Sequence, residues 1–173
     1  LIGLNEAFIV DAETKDEFIK IDPKNRDILK PLLRGRDVQK FAYNFENNWL
    51  IFAHNGVKKL NIERINVIDD YPIIFNHLKN YEEKLIIRHN QGDHWTNMRN
   101  CAYLKEFEKP KIIWGEISDK PKFCFDDKGI YMNDRCSFMV GENLKFILVL
   151  LNSKLIEWYF NLISTSSGMG TNM

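Results

Sequence analysis

The stretch FEKPKIIWGEI, residues 107–117, decides the fold class, because the strand-rich half of the chain begins there. After its Lys-Pro pair, the run from residue 111 to residue 117 is rich in isoleucine and tryptophan, which are typical of β-strands. Similar short runs follow it, and Asp-Lys-Gly at residues 127–129 has the composition of a tight turn. Together these segments predict strands at residues 111–117, 122–125, 130–133 and 136–140.

Two apolar segments close this half, at residues 144–151 and 155–163, and both are predicted to be helices. Asn152 and Ser153 separate them, and Ser153 is a suitable N-cap for the second helix. The aromatic residues of the second segment are expected to be packed. The sequence therefore predicts a single domain over residues 1–173 of the α/β class in its mixed α+β form. We expect a mostly antiparallel or mixed twisted sheet that is flanked by helices, with further helices at the end of the chain.

The opening of the chain shows a polar segment between two apolar ones. Residues 6–10 and 18–21 are predicted to be two strands joined by this polar turn. Asp22 and Pro23 form a helix-start signal, with Asp as the cap and Pro at the first helical position.

That short helix is expected to be interrupted by Pro31, because proline lacks the N–H that a helix interior needs. Residues 32–34 are predicted to add one more turn that ends at Gly35. A strand pair is then predicted, with residues 41–45 in one strand and residues 49–52 in the other.

A helix is predicted after the Asp-Tyr-Pro start signal at residues 70–72. Its apolar residues are spaced by four, three and four, which places them on one face. The segment at residues 88–99 is polar and irregular, so we predict a long loop there, and long loops in compact domains are often functional. The apolar stripe of the helix consists of Ile74, Leu78, Tyr81 and Leu85.

The charges balance in total but are unevenly distributed. The 173 residues include 24 Lys and Arg and 24 Asp and Glu, so the formal net charge is zero. A dedicated nucleic-acid-binding protein usually carries a basic excess, so this total argues mildly against such a function. However, residues 28–41 hold four basic residues against one acid, and residues 84–122 hold eight against five. A neutral chain of this kind can still present a basic face.

No segment is predicted to cross a membrane or to direct export. The longest unbroken apolar run, residues 146–151, has six residues, whereas a bilayer span needs ~18 or more. No basic-then-apolar leader opens the chain. The three cysteines are widely spaced and form no Cys-x-x-Cys pair, so they are predicted to be buried thiols in a reducing cytoplasm.

Motifs for catalysis are absent or weak. The chain has neither the glycine-rich turn of a methyltransferase nor the Asn/Asp-Pro-Pro-aromatic tetrad of an amino-group methylase. A metal nuclease needs grouped carboxylates and a lysine. Asp70, Glu82 and Lys84 match that pattern, but Glu82 is expected on the solvated face of a helix. The four histidines lack metal-ligand spacing. The sequence therefore predicts no catalytic residue and no metal site.

Three ordered segments carry a resemblance to a known family. In this order and at this spacing they resemble the TaqI-like C-terminal specificity domain of adenine-specific DNA methyltransferases and of type IIG restriction–modification enzymes. The resemblance covers essentially the whole chain. The segments are GLNEAFIV at residues 3–10 followed by KPLLRGRDV at 30–38, then FEKPKIIWGEI at 107–117, and LVLLNSKLIEWYF at 148–160.

The resemblance implies a target recognition domain that binds double-stranded DNA beside a methyltransferase domain of the same polypeptide. The setting would be a bacterial restriction–modification system in phage defence. The methyltransferase domain would flip an adenine and methylate its exocyclic nitrogen with S-adenosylmethionine, and Mg²⁺ would serve only a parent that also has a nuclease. No cofactor is expected in this chain. Leu1 and the polar tail at residues 164–173 agree with the expectation that the chain is a fragment of a longer polypeptide.

Basic residues from the two basic stretches are candidate phosphate contacts. Arg34 and Arg36 lie on a glycine turn, where guanidinium groups can bind phosphate bidentately. Alternatively, an Arg36–Asp37 pair or a pair between Arg34 and a carboxylate holds the turn. Lys40 is a further phosphate candidate, or else an ordinary solvated lysine. Lys111, on the predicted strand, completes the set.

The predicted loop supplies the candidates for base readout. Arginine pairs with guanine edges and Asn or Gln with adenine, and Asp can accept a hydrogen bond from cytosine. Trp95 is a candidate for stacking on bases, although it packs into the core if the segment is an ordinary polar loop. Glu116 and Asn133, on the later strands, are weaker candidates. The loop candidates are Arg88, Asn90, Gln91, Asp93, Trp95, Asn97 and Arg99.

A second hypothesis remains open at this point. The chain can instead be a protein-interaction module that holds the methyltransferase domain to a partner, with little DNA binding of its own. That hypothesis predicts an apolar surface patch without a continuous basic face, and the neutral net charge favours it slightly.

Overall fold

A computed structural model describes residues 3–118 and 120–163, so the polar tail at residues 164–173 lies outside the described residues. Helices and strands are intermixed along the chain, as the predicted α+β class requires. The first half contains α1 (Asn5–Phe8), β1 (Ile9–Val10), α2 (Ala12–Ile21), β2 (Leu29–Leu33), β3 (Trp49–Ile51), α3 (Val67–Asp70), α4 (Pro72–Lys79) and α5 (Glu82–Ile87). The second half contains β4 (Lys111–Gly115), β5 (Phe123–Asp126), β6 (Tyr131–Met132), β7 (Cys136–Met139), α6 (Leu144–Leu151) and α7 (Lys154–Ile163).

The strands of the described residues form two small sheets. The first has the order β1-β3-β2-β6, with antiparallel pairs except for the parallel pair of β2 and β6. The second has the order β5-β4-β7 and is antiparallel throughout. Ile113 lies in the centre of this sheet, opposite Cys124 on one side and Phe138 on the other. The prediction of antiparallel or mixed strands with helices at the end is confirmed, although the strands are divided between two sheets.

Residues 12–21 form a helix, so the strand predicted at residues 18–21 is wrong. The Asp11 side chain accepts a hydrogen bond from the backbone N–H of Thr14 at 2.8 Å and thereby caps the first turn of α2. Phe18 is the buried residue of this helix. The Asp-Pro signal after it is confirmed, because Asp22 caps a 3₁₀ helix in the same way.

Residues 29–33 form strand β2, so the helical turn predicted at residues 32–34 is wrong, and the short helix before Pro31 ends at Ile28. Pro31 lies opposite Trp49 in the antiparallel pair with β3. A 3₁₀ turn at Gly35–Asp37 follows the strand. The strand predicted at residues 41–45 is also wrong: Phe41 has a φ of +66°, a conformation that interrupts an extended chain.

The strand predicted at residues 6–10 is correct only for Ile9 and Val10, because Asn5–Phe8 form α1. The other predicted elements are close to those observed. The predicted amphipathic helix is divided at residues 80–81 into α4 and α5, and its residues Ile74, Leu78 and Leu85 are fully buried. All four strands predicted in the second half are present, and so are both closing helices. Ser153 accepts a hydrogen bond from the N–H of Ile156 at 3.3 Å, which confirms its predicted role as a cap.

The cysteines are free thiols, as predicted. Cys101 and Cys124 are buried and Cys136 is half-buried. Burial raises the pKa of Cys124 to about 12 and that of Cys136 to about 12, so both thiols stay protonated at neutral pH.

Helices α6 and α7 form a bent pair at the end of the described chain, with an angle of 61° between them. No single helix of the described residues is long and apolar enough to cross a membrane, and this pair has the necessary length and composition only when both helices are counted together.

A close backbone contact joins the two sheets. A Cβ atom on Gly35, just after β2, would lie 2.6 Å from the carbonyl oxygen of Arg135, and one on Gly115, at the end of β4, would lie 2.9 Å from the carbonyl oxygen of Gly35. Only glycine permits such an approach at these two positions. The contact brings the turn after β2, the end of β4 and the β6–β7 connection together at one place.

Candidate functional site

A cleft of about 620 Å³ opens beside this contact and is the main candidate site. One wall comes from the loop after α5 and the other from the end of β4 and the β6–β7 connection. Its apolar floor contains Phe107 and Phe138, whose ring centres lie 5.2 Å apart. The lining residues are Asn90, Arg99, Tyr103, Phe107, Glu116, Met132, Asn133, Asp134, Cys136, Ser137 and Phe138.

Polar side chains from distant parts of the chain face each other across the cleft. Arg99 donates a hydrogen bond to the Oδ1 atom of Asn90 at 3.3 Å on the loop side. On the strand side, the Ser137 hydroxyl donates to Glu116 at 3.3 Å. Asn133 accepts from the backbone N–H of Arg135 at 3.2 Å. The cleft thus offers both donors and acceptors above an apolar floor.

The loop that supplies Asn90 and Arg99 is held in shape by buried polar residues. Asn97 is fully buried, and its amide donates to the carbonyl oxygens of Ile65 at 2.9 Å and His54 at 3.3 Å. Its Oδ1 atom accepts from Arg64 at 3.0 Å. The prediction that Asn97 contacts bases is therefore wrong, because its polar atoms are used to fix the loop.

Arg88 has a similar internal role, and its predicted contact with bases is also wrong. Its guanidinium donates to the carbonyl oxygens of Trp95, at 3.0 Å, and of Asn97, and lies 4.6 Å from the centre of the Phe8 ring. Burial lowers the pKa of Arg88 to about 10, which leaves the group charged at neutral pH. Trp95 is half-buried, with its ring 5.8 Å from that of Phe75, so the alternative that it packs against the core is confirmed.

The other loop candidates are accessible. Asn90, Gln91, Asp93 and Arg99 are all exposed. Asn90 and Arg99 lie in the cleft, whereas Asp93 lies on the far side of the loop, in a separate pocket. The candidates for base readout are therefore of two kinds: buried residues that stabilise the loop, and exposed residues that are accessible to a ligand.

Arg34 and Arg36 differ in the same respect: Arg34 is ion-paired within the chain, whereas Arg36 is exposed. The Arg34 side chain is 21% exposed and forms ion pairs with Glu46 and with Asp37, the latter at 3.1 Å. The hydrogen bond to Asp37 raises the pKa of Arg34, and the alternative that this residue holds the turn is confirmed. The Arg36 side chain is 71% exposed, with its Nε atom 3.8 Å from Asp37, and projects beside the contact between the sheets.

Basic residues continue from Arg36 along the surface. Arg36 and Lys122 line one shallow depression, and Lys122 lines the next one together with Lys40 and Lys120. Lys40 forms an ion pair with Glu157 at 2.8 Å, which lowers the pKa of that carboxyl. We call Arg36, Lys122, Lys120 and Lys40 the basic edge. Sequence reasoning missed Lys120 and Lys122, whose signal was only their place in the second basic stretch.

Lys111 is not part of this surface, so its predicted contact with phosphate is wrong. Its side chain is 0% exposed, and its Nζ atom lies 2.6 Å from Asp126 and 2.6 Å from the carbonyl oxygen of Phe107. A buried ammonium needs such a carboxylate partner, and this pair joins β4 to β5.

The sequence also missed part of the strand wall of the cleft. Asp134, Arg135 and Ser137 lie at or beside the turn between β6 and β7. The polar run Asn-Asp-Arg between two apolar runs was the available signal, but nothing local connects it to the loop at residues 88–100. Asn133 and Glu116, the weaker candidates from the sequence, do line the cleft.

The residues considered for a metal nuclease do not form the predicted cluster. Asp70 is paired with Lys24 at 2.8 Å, and Lys84 is paired with Glu6 at 2.7 Å. Across residues 3–118 and 120–163, no group of three or more His, Cys, Asp or Glu side chains is arranged to hold a metal ion.

Comparisons with known proteins agree with the fold. Residues 30–172 match the family model of the TaqI-like C-terminal specificity domain. Among solved structures, the fold is similar to part of the type IIL restriction–modification enzyme MmeI, solved in complex with DNA, with a TM-score of 0.61 and 14% sequence identity. The match covers 88% of this chain and 20% of the MmeI chain, so the present chain corresponds to about a fifth of that protein.

Proposed function

Since the chain belongs to the family of TaqI-like C-terminal specificity domains, we propose that it recognises a specific sequence of double-stranded DNA for a restriction–modification enzyme. In this proposal the cleft contacts base edges and the basic edge contacts the phosphate backbone. The solved complex of MmeI with DNA supports the choice of ligand. The function would place the protein in the bacterial cytoplasm, with the DNA on which it acts.

One observation carries this proposal: the cleft and the basic edge share a border. Gly115 lines the depression that contains Arg36, while the next residue, Glu116, lines the cleft. Arg135, whose carbonyl oxygen accepts from the N–H of Glu116 at 2.9 Å, is exposed at the same border. A bound duplex could therefore place its backbone on the basic edge and present its base edges to the cleft. Phosphate contacts position such a domain, and base contacts specify the sequence.

The side chains of the cleft suit base readout. Arg99 can donate two hydrogen bonds to a guanine edge, Asn90 and Asn133 can pair with adenine, and Glu116 can accept from cytosine. Among the described residues, each of these side chains forms one or two hydrogen bonds, so donor and acceptor capacity remains for DNA.

The chemistry of the enzyme would reside outside this chain. We propose that a methyltransferase domain of the same polypeptide flips an adenine at the recognised site and methylates its exocyclic nitrogen. S-adenosylmethionine would supply the methyl group there, and Mg²⁺ would be required only if the parent also contains a nuclease. The residues of this chain would bind the duplex and set its position. N6-methyladenine within the recognised sequence, in the DNA of cells that express the full-length protein, is the expected product.

Helices α6 and α7 provide a surface for that second domain. Their large apolar side chains are exposed over two consecutive helices, and an apolar patch of this kind marks an interaction site in a folded protein. Because the MmeI chain is about five times as long as the matched region, we propose that the patch packs against the methyltransferase domain. The exposed side chains are Phe146, Val149, Leu150, Leu155, Trp158, Tyr159, Leu162 and Ile163.

The alternative function is a protein-interaction module with little DNA binding. It predicts an apolar patch without a continuous basic face. The basic edge beside the cleft favours DNA recognition instead, and the patch is compatible with both functions.

Binding of random-sequence duplex DNA by the full-length protein, at about 50 mM and about 200 mM salt, tests the proposal. Arg36→Ala should weaken binding on every sequence and reduce the slope of log K against log salt by about 0.9, because one phosphate contact is lost. The matched control is Arg26→Ala, which removes an exposed arginine from the turn after α2 and should leave the slope unchanged. Wild-type protein that binds no duplex even at the lower salt would contradict DNA recognition and favour the interaction module.

Selection of preferred duplexes from a randomised pool tests the cleft. Arg99→Ala should relax preference at one base position, at a cost of about 1–3 kcal/mol for the preferred base, and should leave the other positions unchanged. Equal weakening on all sequences would show that Arg99 binds phosphate instead.

A further inference from the structure

A hairpin outside the proposed interface, residues 57–62, presents two adjacent lysines. The backbone groups of Val57 and Ile62 pair with each other, at 2.8 Å and 3.2 Å, and Lys58 begins a 3₁₀ turn at the tip. Lys58 and Lys59 are both exposed. Within the described part of the chain neither lysine forms an ion pair, in contrast to Lys40 with its partner carboxylate.

The conformation of the hairpin is fixed at both ends. Gly56 has a φ of +73°, and a Cβ atom there would lie 2.6 Å from the carbonyl oxygen of Ile62, so the position requires glycine. Asn61, which ends the 3₁₀ turn, is in the left-handed conformation that asparagine tolerates. The two lysines are therefore presented from a defined turn.

Asn55 connects this hairpin to the loop that lines the cleft. Its Oδ1 atom accepts a hydrogen bond from the backbone N–H of Asp93 at 2.8 Å, and its Nδ2 atom donates to the Oδ1 atom of Asn100 at 2.6 Å. Gly92 permits this contact, since a Cβ atom there would lie 2.5 Å from the Asn55 side chain. The hairpin and the loop are thus held as one unit.

The hairpin lies across the loop from the cleft. A pocket of about 310 Å³ separates it from the loop and is lined by Lys58, Lys59, Asp93 and Asn100, among others. Arg99 lines the cleft, whereas the next residue, Asn100, lines this pocket. The loop therefore borders both cavities. The lysine pair adjoins the loop wall of the cleft, whereas the basic edge adjoins its strand wall at Gly115 and Glu116.

We propose that Lys58 and Lys59 bind backbone phosphates of the DNA that the cleft recognises. The inference rests on the proposed function and extends it to a second phosphate-binding element. Two ammonium groups face one carboxylate in this pocket, so its charge favours an anion. Lysine binds phosphate as a point charge and carries no base information, and the contacts would therefore be independent of sequence. The lysine pair would hold the duplex at the loop wall of the cleft, and the basic edge would hold it at the strand wall.

The test is the salt dependence of DNA binding by the full-length protein, for wild type and for Lys58→Ala/Lys59→Ala, on the preferred duplex and on a random one. Losing two phosphate contacts should reduce the slope of log K against log salt by about 1.8. Between about 50 mM and about 200 mM salt, the variant should then lose about 12-fold less affinity than wild type, equally on both duplexes. The control is Lys20→Ala/Lys79→Ala, which removes the same charge from exposed positions on α2 and α4, away from the cleft, the basic edge and the α6–α7 patch, and should retain the wild-type slope.

The possible outcomes distinguish failure of this inference from failure of the proposed function. If wild type binds DNA and Lys58→Ala/Lys59→Ala has the same salt slope as wild type, the lysines do not bind phosphate, and the proposal of DNA recognition is unaffected. A loss confined to the preferred duplex would show that the lysines contact bases, which also overturns the phosphate assignment. Absence of any salt-sensitive binding by wild type would overturn both. An equal loss in the control pair would show a general effect of charge and would count against a local contact.

Discussion

The loop at residues 88–100 and the helical pair α6–α7 both invert the usual distribution of side chains. In the loop, the polar residues Arg88 and Asn97 are buried, whereas in the helices large apolar side chains such as Leu155 and Trp158 are exposed. A buried polar group needs a hydrogen-bond partner, and the loop supplies its partners from within the chain. A patch of exposed apolar groups instead marks an interaction site, and the partner proposed for it is the methyltransferase domain. The buried polar groups of the loop thus have partners among the described residues, whereas the apolar face of the helices is available for a partner.

The largest effect is expected at Asn97. Asn97→Ala should reduce the free energy of unfolding by about 3 kcal/mol, because buried carbonyl groups at His54 and Ile65 and the guanidinium of Arg64 lose a hydrogen-bond partner. Urea denaturation of wild type and variant measures the loss.

Gln91→Ala is the matched control, because it truncates an exposed polar side chain of the same loop. It should change the free energy of unfolding by no more than about 0.5 kcal/mol. Equal stability of the Asn97 and Gln91 variants would show that the buried network does not hold the loop, and would remove the distinction between its inner and displayed residues.

The second-largest effect is expected on the exposed apolar face of α6 and α7. Leu155→Ser, at a position that is 68% exposed, should change the stability of the 173-residue chain by less than about 0.5 kcal/mol. In the proposed longer polypeptide the same change should cost about 2 kcal/mol, because our proposal buries the side chain against the methyltransferase domain. Denaturation of both forms measures the difference.

Leu148→Ser provides the comparison within the same helical pair. Leu148 is buried against Ile112, so its replacement should cost about 3 kcal/mol in both forms of the protein. If Leu155→Ser remains neutral in the full-length protein, the helical face is not covered by another domain and the proposed docking is wrong.

The smallest effect concerns pH and the loop. His94 accepts a hydrogen bond from the N–H of Thr96 at 3.3 Å and is partly buried, and burial lowers its pKa below 6.5. The folded state disfavours protonated His94. Neutral His94 therefore contributes to the stability of the folded protein above pH 6.5, and this contribution is lost as the pH falls below that value. Stability measured by urea denaturation at pH 7.5 and pH 5.5 should therefore decline less in His94→Gln than in wild type. A steeper decline in the variant would mean that protonated His94 stabilises the loop.

Much of the fold follows from local signals. The strands after residue 110 and the two closing helices were predicted, because apolar runs, turn residues and the Ser153 cap act over a few neighbouring residues. The errors arose where local signals were ambiguous. Residues 18–21 contain β-branched and aromatic residues typical of a strand, yet the Asp11 cap and the helix-forming residues after it extend α2 through them. Pro31 excludes a helix interior but is tolerated in β2, where packing of the strand decides the outcome.

Local signals predicted less of the candidate site than of the fold. The loop and its polar composition were predicted, but the division of its side chains between interior and surface was not. Asn97 is internal because carbonyl groups at residues 54 and 65 lie beside it, and Lys111 is internal because Asp126 lies on the neighbouring strand. A local sequence pattern does not indicate partners that lie so far away in the chain.

The sequence alone therefore determined the class of fold, the family resemblance, the closing helices and the position of the loop, since periodicity, capping and turn chemistry depend on near neighbours. The tertiary structure alone decided which polar residues are available for a ligand. It placed Arg99 and Asn133 on opposite walls of one cleft, left Arg36 exposed while Arg34 was paired, and brought Lys58 and Lys59 beside the loop. The physical reason is that the burial and pairing of a polar group depend on chain segments far away in sequence, and only the folded chain brings these segments together.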